Sequence, residues 1–360
     1  MKPIYIVSWL FALAVSFVSC DDWLDKTPKD RLYPDVYFKT EDELRLFTNQ
    51  FYNNLVPSAV DIYSESSDLI VKSDLMLEMS GQRIIPDEGN GWNFTALRDI
   101  NFYLQYSHNC TEVNARNRYD GVARFFRAYF YFEKVKRYGD IPWYDKALDS
   151  DDPELYKARD SREFVMQKML EDLDFAIANL PKTKNAYVLT RWTALALKSR
   201  VCLFEGTFRK YHGLEDCEKY LNACVSASET FMNESGYTLY KSGSTPYRDL
   251  FASINLQADE VIFGRDYEAS LSVLHNVQNY ENSTTMGRPG MNKKIVNSYL
   301  MADGSRFTDK AGYETMTFDQ ECQNRDPRLA QTIRTPGYTR IGSTKKEAPN
   351  LAYTMTGYHL

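Results

Sequence analysis

Apolar positions recur at helical spacing along most of the chain from residue 40 to residue 232. Thr40 and Glu43 stand ahead of Leu44, Phe47, Phe51 and Leu55, so a capping box and an apolar face predict a helix that Pro57 ends. Residues 58–94 lack periodicity and hold Gly81, Pro86, Gly89 and Gly91, which predicts loop with Trp92 at its end. Helical pattern resumes with Leu97, Ile100, Phe102 and Leu104. The strongest prediction is a helix from Val122 to Tyr138, with an aromatic stripe of Phe125, Phe126, Tyr129 and Phe130 expected in the core. Gly139 and Pro142 close it.

Asp160 and Glu163 then read as a capping box. Phe164, Leu170, Leu173, Ile177 and Leu180 form the expected buried face, and Pro181 stops that helix. Thr190 opens the next, with Ala194, Leu197, Val201 and Phe204 inside and Gly206 as its close. Glu215 to Met232 puts Leu221, Cys224, Val225 and Ser228 on one side of another. Helices of about 15–20 residues joined by short turns predict antiparallel helical hairpins. The pair from Thr190 to Met232 resembles a tetratricopeptide unit, with Ala196, Ala223 and Ala227 where helices approach closely. After Asn233 the apolar runs shorten and Gly, Ser, Thr, Asn and Pro become frequent. Glu260 to Phe263 reads as a short strand, Ile295 to Leu300 as a short helix, and the rest as long loops on a helical base.

The N-terminus follows a different rule. Ile4 to Val18 is an almost wholly apolar run of 15 residues, too short to span a bilayer and the right length for a signal-peptide core. It ends in Ser19-Cys20, the pattern of a bacterial lipoprotein signal, which makes Cys20 the expected lipidation site and first mature residue. Asp21-Asp22 after it resembles the surface-export signal of Bacteroidetes lipoproteins. A mature lipoprotein carries two or three acyl chains, enough for stable anchoring, where one chain is marginal.

Composition narrows the function. The 360 residues carry 43 Lys and Arg against 49 Asp and Glu, a net charge of −6 that argues against a nucleic-acid partner. Aromatics reach 14%, with 26 Tyr, which leaves rings for a stacking surface. Beyond Cys20, five scattered cysteines make no disulfide framework. Cys217 and Cys224, with His212 nearby, read as buried thiols ahead of a metal site. Asp149-Ser-Asp-Asp152 lacks the glycine and glutamate of a calcium loop and reads as a solvated turn. The metallopeptidase H-E-x-x-H and the hydrolase G-x-S-x-G are missing, so no enzyme, metal or cofactor is expected.

Three ordered segments carry a family resemblance. Trp23-Leu-Asp-Lys-Thr-Pro28, then Gly121-Val-Ala-Arg-Phe-Phe-Arg-Ala-Tyr-Phe-Tyr-Phe132 running on to Arg137-Tyr-Gly-Asp-Ile-Pro142, then Arg325-Asp-Pro-Arg-Leu329, are similar to motifs of the SusD/RagB family of Bacteroidetes nutrient-binding outer-membrane lipoproteins. The resemblance implies a mainly α fold of tetratricopeptide-like hairpins with long ligand-binding loops and little β structure. It implies a non-enzymatic surface protein that hands an oligosaccharide or polysaccharide to a TonB-dependent (SusC-like) transporter. The organisation it implies is a signal peptide at 1–19, a helical N-terminal part at 20–235, and a loop-rich start of the C-terminal part at 236–360. The end at Thr356-Gly-Tyr-His-Leu360 falls inside a family motif, so a truncated chain is expected.

Sugar rings offer an apolar C–H face and a hydroxyl rim, so aromatic, amide and guanidinium groups in loops are the candidates. Trp92 sits in the Gly-rich loop Asp87 to Asn93 and reads equally as a stacking platform or as a plug holding the loop to the helices. Asn93 and Arg83 serve the rim in the first reading. Tyr280, Asn282 and Arg288 belong to a second such loop. Arg124 and Arg127 read as helix-packing residues first. Peptide or another nutrient as ligand, or a protein-interaction scaffold with none, are the alternative functions.

Overall fold

The structure, a computed structural model, describes residues 36–57, 69–71, 77–86, 91–275, 290–347 and 358–359. The apolar run, Cys20 and the lead-in at Trp23 lie outside the described residues.

Helix α1 spans Glu41–Leu55 and begins with the expected box: Thr40 Oγ1 accepts from Glu43 N at 3.3 Å, and Glu43 Oε2 accepts from Thr40 N at 3.1 Å. Its inward face carries Leu44 and Phe51. A single turn, α2, spans Leu77–Ser80, and α3 spans Thr95–Tyr106. Helix α4 runs Val113–Tyr138, starting well before Val122. Its opening turns are polar outside and bury only Ala115, Tyr119 and Gly121, so no apolar stripe marks them in the sequence. A Cβ at Gly121 would meet the Leu180 side chain at 3.4 Å, an ordinary contact, so packing alone does not demand a glycine there.

Helix α5 spans Arg162–Asn179, and its cap corrects the sequence reading. Ser161 Oγ accepts from Phe164 N at 3.3 Å, whereas Asp160 is turned away to accept from Trp143 N at 2.7 Å. The buried face is accordingly Val165, Met166, Met169, Leu173 and Ala176, and Phe164 is exposed. Helix α6 spans Arg191–Tyr211 with Thr190 and Thr193 as reciprocal caps. Gly206 does not end it. It lies inside, where a Cβ would come within 2.7 Å of the Leu221 side chain. Helix α7 spans Cys217–Glu234, buries Tyr220 and Ala227 and half-buries Leu221, Cys224 and Ser228 against α6; of the expected face only Val225 is left in solvent.

These helices pack as consecutive antiparallel neighbours. Arg127 meets Asp172 between α4 and α5, Lys198 meets Asp174 between α5 and α6, and Ser199 meets Ser228 between α6 and α7. Helices α1 and α3 cover α4, and an aromatic core forms among them: Phe38, Phe51, Tyr103 and Phe126 are all fully buried. Phe125, Phe130, Tyr131 and Phe132 are buried as the stripe predicts.

Beyond α7 the elements are short: α8 at Pro246–Ala252, α9 at Lys293–Ser298, α10 at Phe318–Glu321 and α11 at Pro327–Thr332. Glu260 to Phe263 is no strand. Glu260 ends a turn, and Ile262 and Phe263 are drawn onto the core instead, with Gly264 N donating to Ala186 O at 2.9 Å. The predicted helix at Ile295 begins at Lys293 and stops at Ser298, and Leu300 bridges Arg306. Three two-residue strands, β1 (Ile70–Val71), β2 (Gly290–Met291) and β3 (Tyr358–His359), form one antiparallel sheet in that order. The fold is mainly α, built from helical hairpins with long loops and little β structure.

Candidate functional site

Between α4 and α5 the chain makes a 20-residue excursion, residues 141–160, closed at its base. Ile141 N donates to Asp160 O at 3.1 Å, and the Asp160 carboxylate reaches Trp143 N across the same neck. Gly139, at φ +69°, turns the chain out of α4 into this loop, a conformation that side chains disfavour.

The loop's first residues are fixed from below. Trp143 stacks on Tyr131 with ring centroids 4.2 Å apart, and the Arg127 guanidinium lies 5.2 Å from its ring. Tyr144 N donates to Tyr131 Oη at 2.6 Å. The Asn101 amide donates to the Tyr144 and Lys146 carbonyls at 2.8 and 3.2 Å, and its Oδ1 accepts from Arg127 at 3.2 Å. The Trp143 and Tyr144 amides and the Tyr144 and Lys146 carbonyls thus have partners, as burial demands.

Over this floor lies a cavity of about 560 Å³. Trp92, Phe94, Leu97, Tyr144, Leu148 and Leu155 give it an apolar wall. Asn101 is its amide, and Arg98, Lys146, Lys157 and Arg159 are its charged groups. Phe94 and Tyr144 meet edge to face at 5.7 Å. Lys157 donates to Trp143 O at 2.6 Å and pairs with Asp160 at 3.0 Å, and Lys146 pairs with Glu154 at 3.0 Å. Burial, with Asp160 and Glu154 nearby, pushes the Tyr144 phenol above its usual range, so it stays a neutral donor, here to Leu155 O at 3.2 Å. An apolar, aromatic hollow with a few polar groups directed into it is the usual form of a small-ligand site.

Trp92 lies on this wall, and its indole is packed locally. It meets Tyr138 edge-on at 4.9 Å and Phe94 at 5.3 Å, and the Arg159 guanidinium sits 4.9 Å from its ring. It remains 39% exposed, so it plugs the loop onto the helices and still leaves part of its indole in solvent. Lys134 ties the loop behind it by donating to Gly91 O. Burial, then Arg137, holds the Lys134 ammonium below its ordinary range.

Asn93 is exposed and does not line the cavity; its Oδ1 accepts from Thr95 N at 2.8 Å at the start of α3. Arg83 is exposed on the preceding segment, outside the lining. Tyr280, Asn282 and Arg288 lie outside the described residues. Arg127 and Arg124 pack helices: Arg127 grips Asp172, and Arg124 lies 4.2 Å from the Phe175 ring. Cys224 Sγ lies 3.5 Å from Ser199 Oγ, and the His212 ring sits on Phe208 at 4.3 Å. Among the described residues no three His, Cys, Asp or Glu gather as a metal would require. Asp152 caps a short 3₁₀ turn, Pro153–Tyr156, by accepting from Glu154 N at 2.9 Å.

Sequence reading missed Phe94, Tyr144 and Arg159. The available signal was the loop itself: 20 aperiodic residues between two strong helices, long for a connection that only joins them.

Comparison with known proteins adds a separate line. A family described as "Starch-binding associating with outer membrane" matches residues 80–191, and one described as "SusD family" matches residues 228–360. The SusD-like protein P2 of Formosa agariphila is 26% identical over 294 residues, 76% of this chain and 55% of that protein. The SusD-like protein P38 of the same organism is 24% identical over 226 residues, 57% of this chain and 43% of that one. The chain spans about half the length of the curated relatives it matches. Among solved structures, a SusD-like protein of Bacteroides fragilis superposes with a TM-score of 0.67 at 21% identity, over 87% of this chain and 64% of that one. A SusD-like carbohydrate-binding protein of Bacteroides fragilis gives 0.66 at 17% identity, over 88% and 63%. A further structure, solved with xylogluco-oligosaccharide, gives 0.55 at 18% identity, over 72% and 55%.

Proposed function

Because the chain belongs to the SusD/RagB family, we propose that it is a carbohydrate-binding protein of the outer-membrane surface and that the cavity beside Trp92 holds its oligosaccharide. The observation that carries this reading is the aromatic wall of Trp92, Phe94 and Tyr144 rising from a floor of satisfied amides. Rings stack on the C–H face of a sugar, and the Arg98 and Arg159 donors lie where hydroxyls would be met. Lipid attachment at Cys20 would hold the protein to the membrane. The mature chain would then deliver its ligand to a TonB-dependent transporter. Arg83, Asn93, Tyr280, Asn282 and Arg288 extend the proposed contact surface across the two loops that carry them.

The solved relative that holds a xylogluco-oligosaccharide lends the ligand class some weight. A glycan-array screen of the soluble chain lacking residues 1–20 tests the reading. Binding to at least one oligosaccharide is expected. Binding to none, alongside tight binding to peptides, would replace it with the peptide-nutrient alternative.

A further inference from the structure

Resting on that carbohydrate reading, we propose that the saccharide held beside Trp92 carries a carboxylate, as a uronic acid does, and that Arg159 selects it. Among the described residues, every charged side chain lining the cavity is a cation: Arg98, Lys146, Lys157 and Arg159. Three of them have carboxylate partners outside the lining, Asp149 at 3.9 Å, Glu154 at 3.0 Å and Asp160 at 3.0 Å. Arg159 differs. Among the described residues its guanidinium makes an aromatic contact alone, lying 4.9 Å from the Trp92 ring, with no ion pair.

That contact uses no N–H donor, and among the described residues no hydrogen bond takes one. A guanidinium carries five N–H donors in its plane, matched in shape to a carboxylate that accepts two parallel bonds. Trp92 is itself braced edge-on by Tyr138 and Phe94, so the arginine rests on a fixed support and loses less freedom on binding. A neutral sugar would leave this donor edge only partly used.

The start of α3 adds a second positive element. Thr95, its first residue, lines the cavity. The helix has no acidic residue in its first turn, and its N-cap, Phe94, supplies no side-chain acceptor. Asn93 satisfies Thr95 N alone. No acid of the first turn offsets the positive end of the helix dipole at the cavity wall, and that end favours an anion.

A carboxylate fits better than a sulfate ester because it is planar, like the guanidinium edge. The ring that bears it keeps an apolar face for Phe94 and Tyr144.

Calorimetric titration of the chain lacking residues 1–20 tests this, with a panel of uronate oligosaccharides, the same oligosaccharides with carboxyls reduced to alcohols, and sulfated counterparts. At least one carboxylate form should bind about tenfold or more tightly than its reduced form, and added salt should narrow the gap. In Arg159→Gln the acid-to-neutral ratio should fall towards one, and Arg159→Lys should recover part of it. A melt of each variant establishes that it is folded, as expected for an exposed side chain. Equal affinity for acid and reduced forms, both weakened by Trp92→Ala, would overturn acid selection and leave carbohydrate binding standing. Preference for the sulfated form would overturn the carboxylate assignment. An undiminished ratio in Arg159→Gln would overturn the role of that residue. Binding to no oligosaccharide would overturn the underlying reading and this proposal with it.

Discussion

Asp172 on α5 holds Arg127 on α4 by two parallel hydrogen bonds, from Nε at 2.6 Å and from Nη2 at 2.8 Å, with both side chains buried. The remaining arm of the guanidinium reaches Asn101, whose amide carries the Tyr144 and Lys146 carbonyls. A charge pair inside the helical layer is thereby continuous with the cavity floor. Arg127→Ala or Asp172→Ala would strand a buried charge and should cost about 3–5 kcal/mol. The double replacement Arg127→Met with Asp172→Leu should cost clearly less than either alanine variant, since it removes both charges and keeps volume. Chemical denaturation of the three variants checks the order.

Trp92→Ala should lower both affinity and stability. Loss of sugar stacking on tens of Å² of indole corresponds to about 1–2 kcal/mol, a ten- to thirtyfold weaker complex. Loss of two edge-on ring contacts should remove roughly 1–2 kcal/mol of stability as well. Titration and a melt on one preparation measure the two effects. Unchanged affinity in a folded variant would remove Trp92 from the site.

Gly206→Ala should destabilise the α6–α7 hairpin. The new Cβ would approach Leu221 Cδ2 to 2.7 Å and the Leu221 backbone nitrogen to 3.1 Å. The side chain can rotate away, but the backbone yields only if the helices separate. Roughly 1–3 kcal/mol of overpacking outweighs the ~1 kcal/mol that alanine adds to an isolated helix. Adding Leu221→Ala should recover only part of the loss, as read by the melting temperature.

Glu163 joins three helices: Arg209 on α6 donates to it at 2.6 Å, and Lys219 and Tyr220 on α7 donate at 2.9 and 3.0 Å. Burial works against its charge. The hydrogen bonds from Lys219 and Tyr220 and the Arg209 charge outweigh that and hold the carboxyl below its usual range. A depressed carboxyl stabilises the fold above its ordinary titration range, and that stability is lost as pH falls through the lower folded value. The melting-temperature difference between wild type and Glu163→Gln should therefore be largest near neutrality and shrink below roughly pH 4. A difference independent of pH would assign Glu163 a packing role alone.

Cys20→Ala should release the protein from membranes or block its processing, because the thiol is the proposed site of acyl attachment. Fractionation and the mass of the mature N-terminus decide it. An unchanged distribution and mass would dismiss the anchor.

The aromatic stripe of α4 was legible because burial selects large apolar side chains at helical spacing, and Phe126 and Tyr131 are fully buried as that rule requires. The boundaries were less legible. Asp160 and Ser161 are both good N-caps by type, and the choice fell to Ser161 because Asp160 is engaged by Trp143, a contact between positions 17 residues apart. Gly206 carried the same ambiguity: a glycine ends a helix or admits a neighbour, and only the partner Leu221 distinguishes them. Of the site, Trp92 could be singled out by its polar loop. Arg159 and Tyr144 acquire meaning only when the neck at Ile141 and Asp160 folds their loop back over α3.

That neck has a consequence for how such proteins diversify. Ile141 and Asp160 close the loop before it reaches the cavity, so the helical layer experiences a fixed pair of ends whatever lies between them. Substitutions or insertions at 145–158 change the surface offered to a ligand while leaving the packing of α4 on α5 largely intact, because loop-closure cost rises only slowly with length. If the proposed cavity is the ligand site, one scaffold can be re-addressed to new ligands by exchanging a short cassette, with the Asn101 contacts to Tyr144 and Lys146 as the joint to preserve.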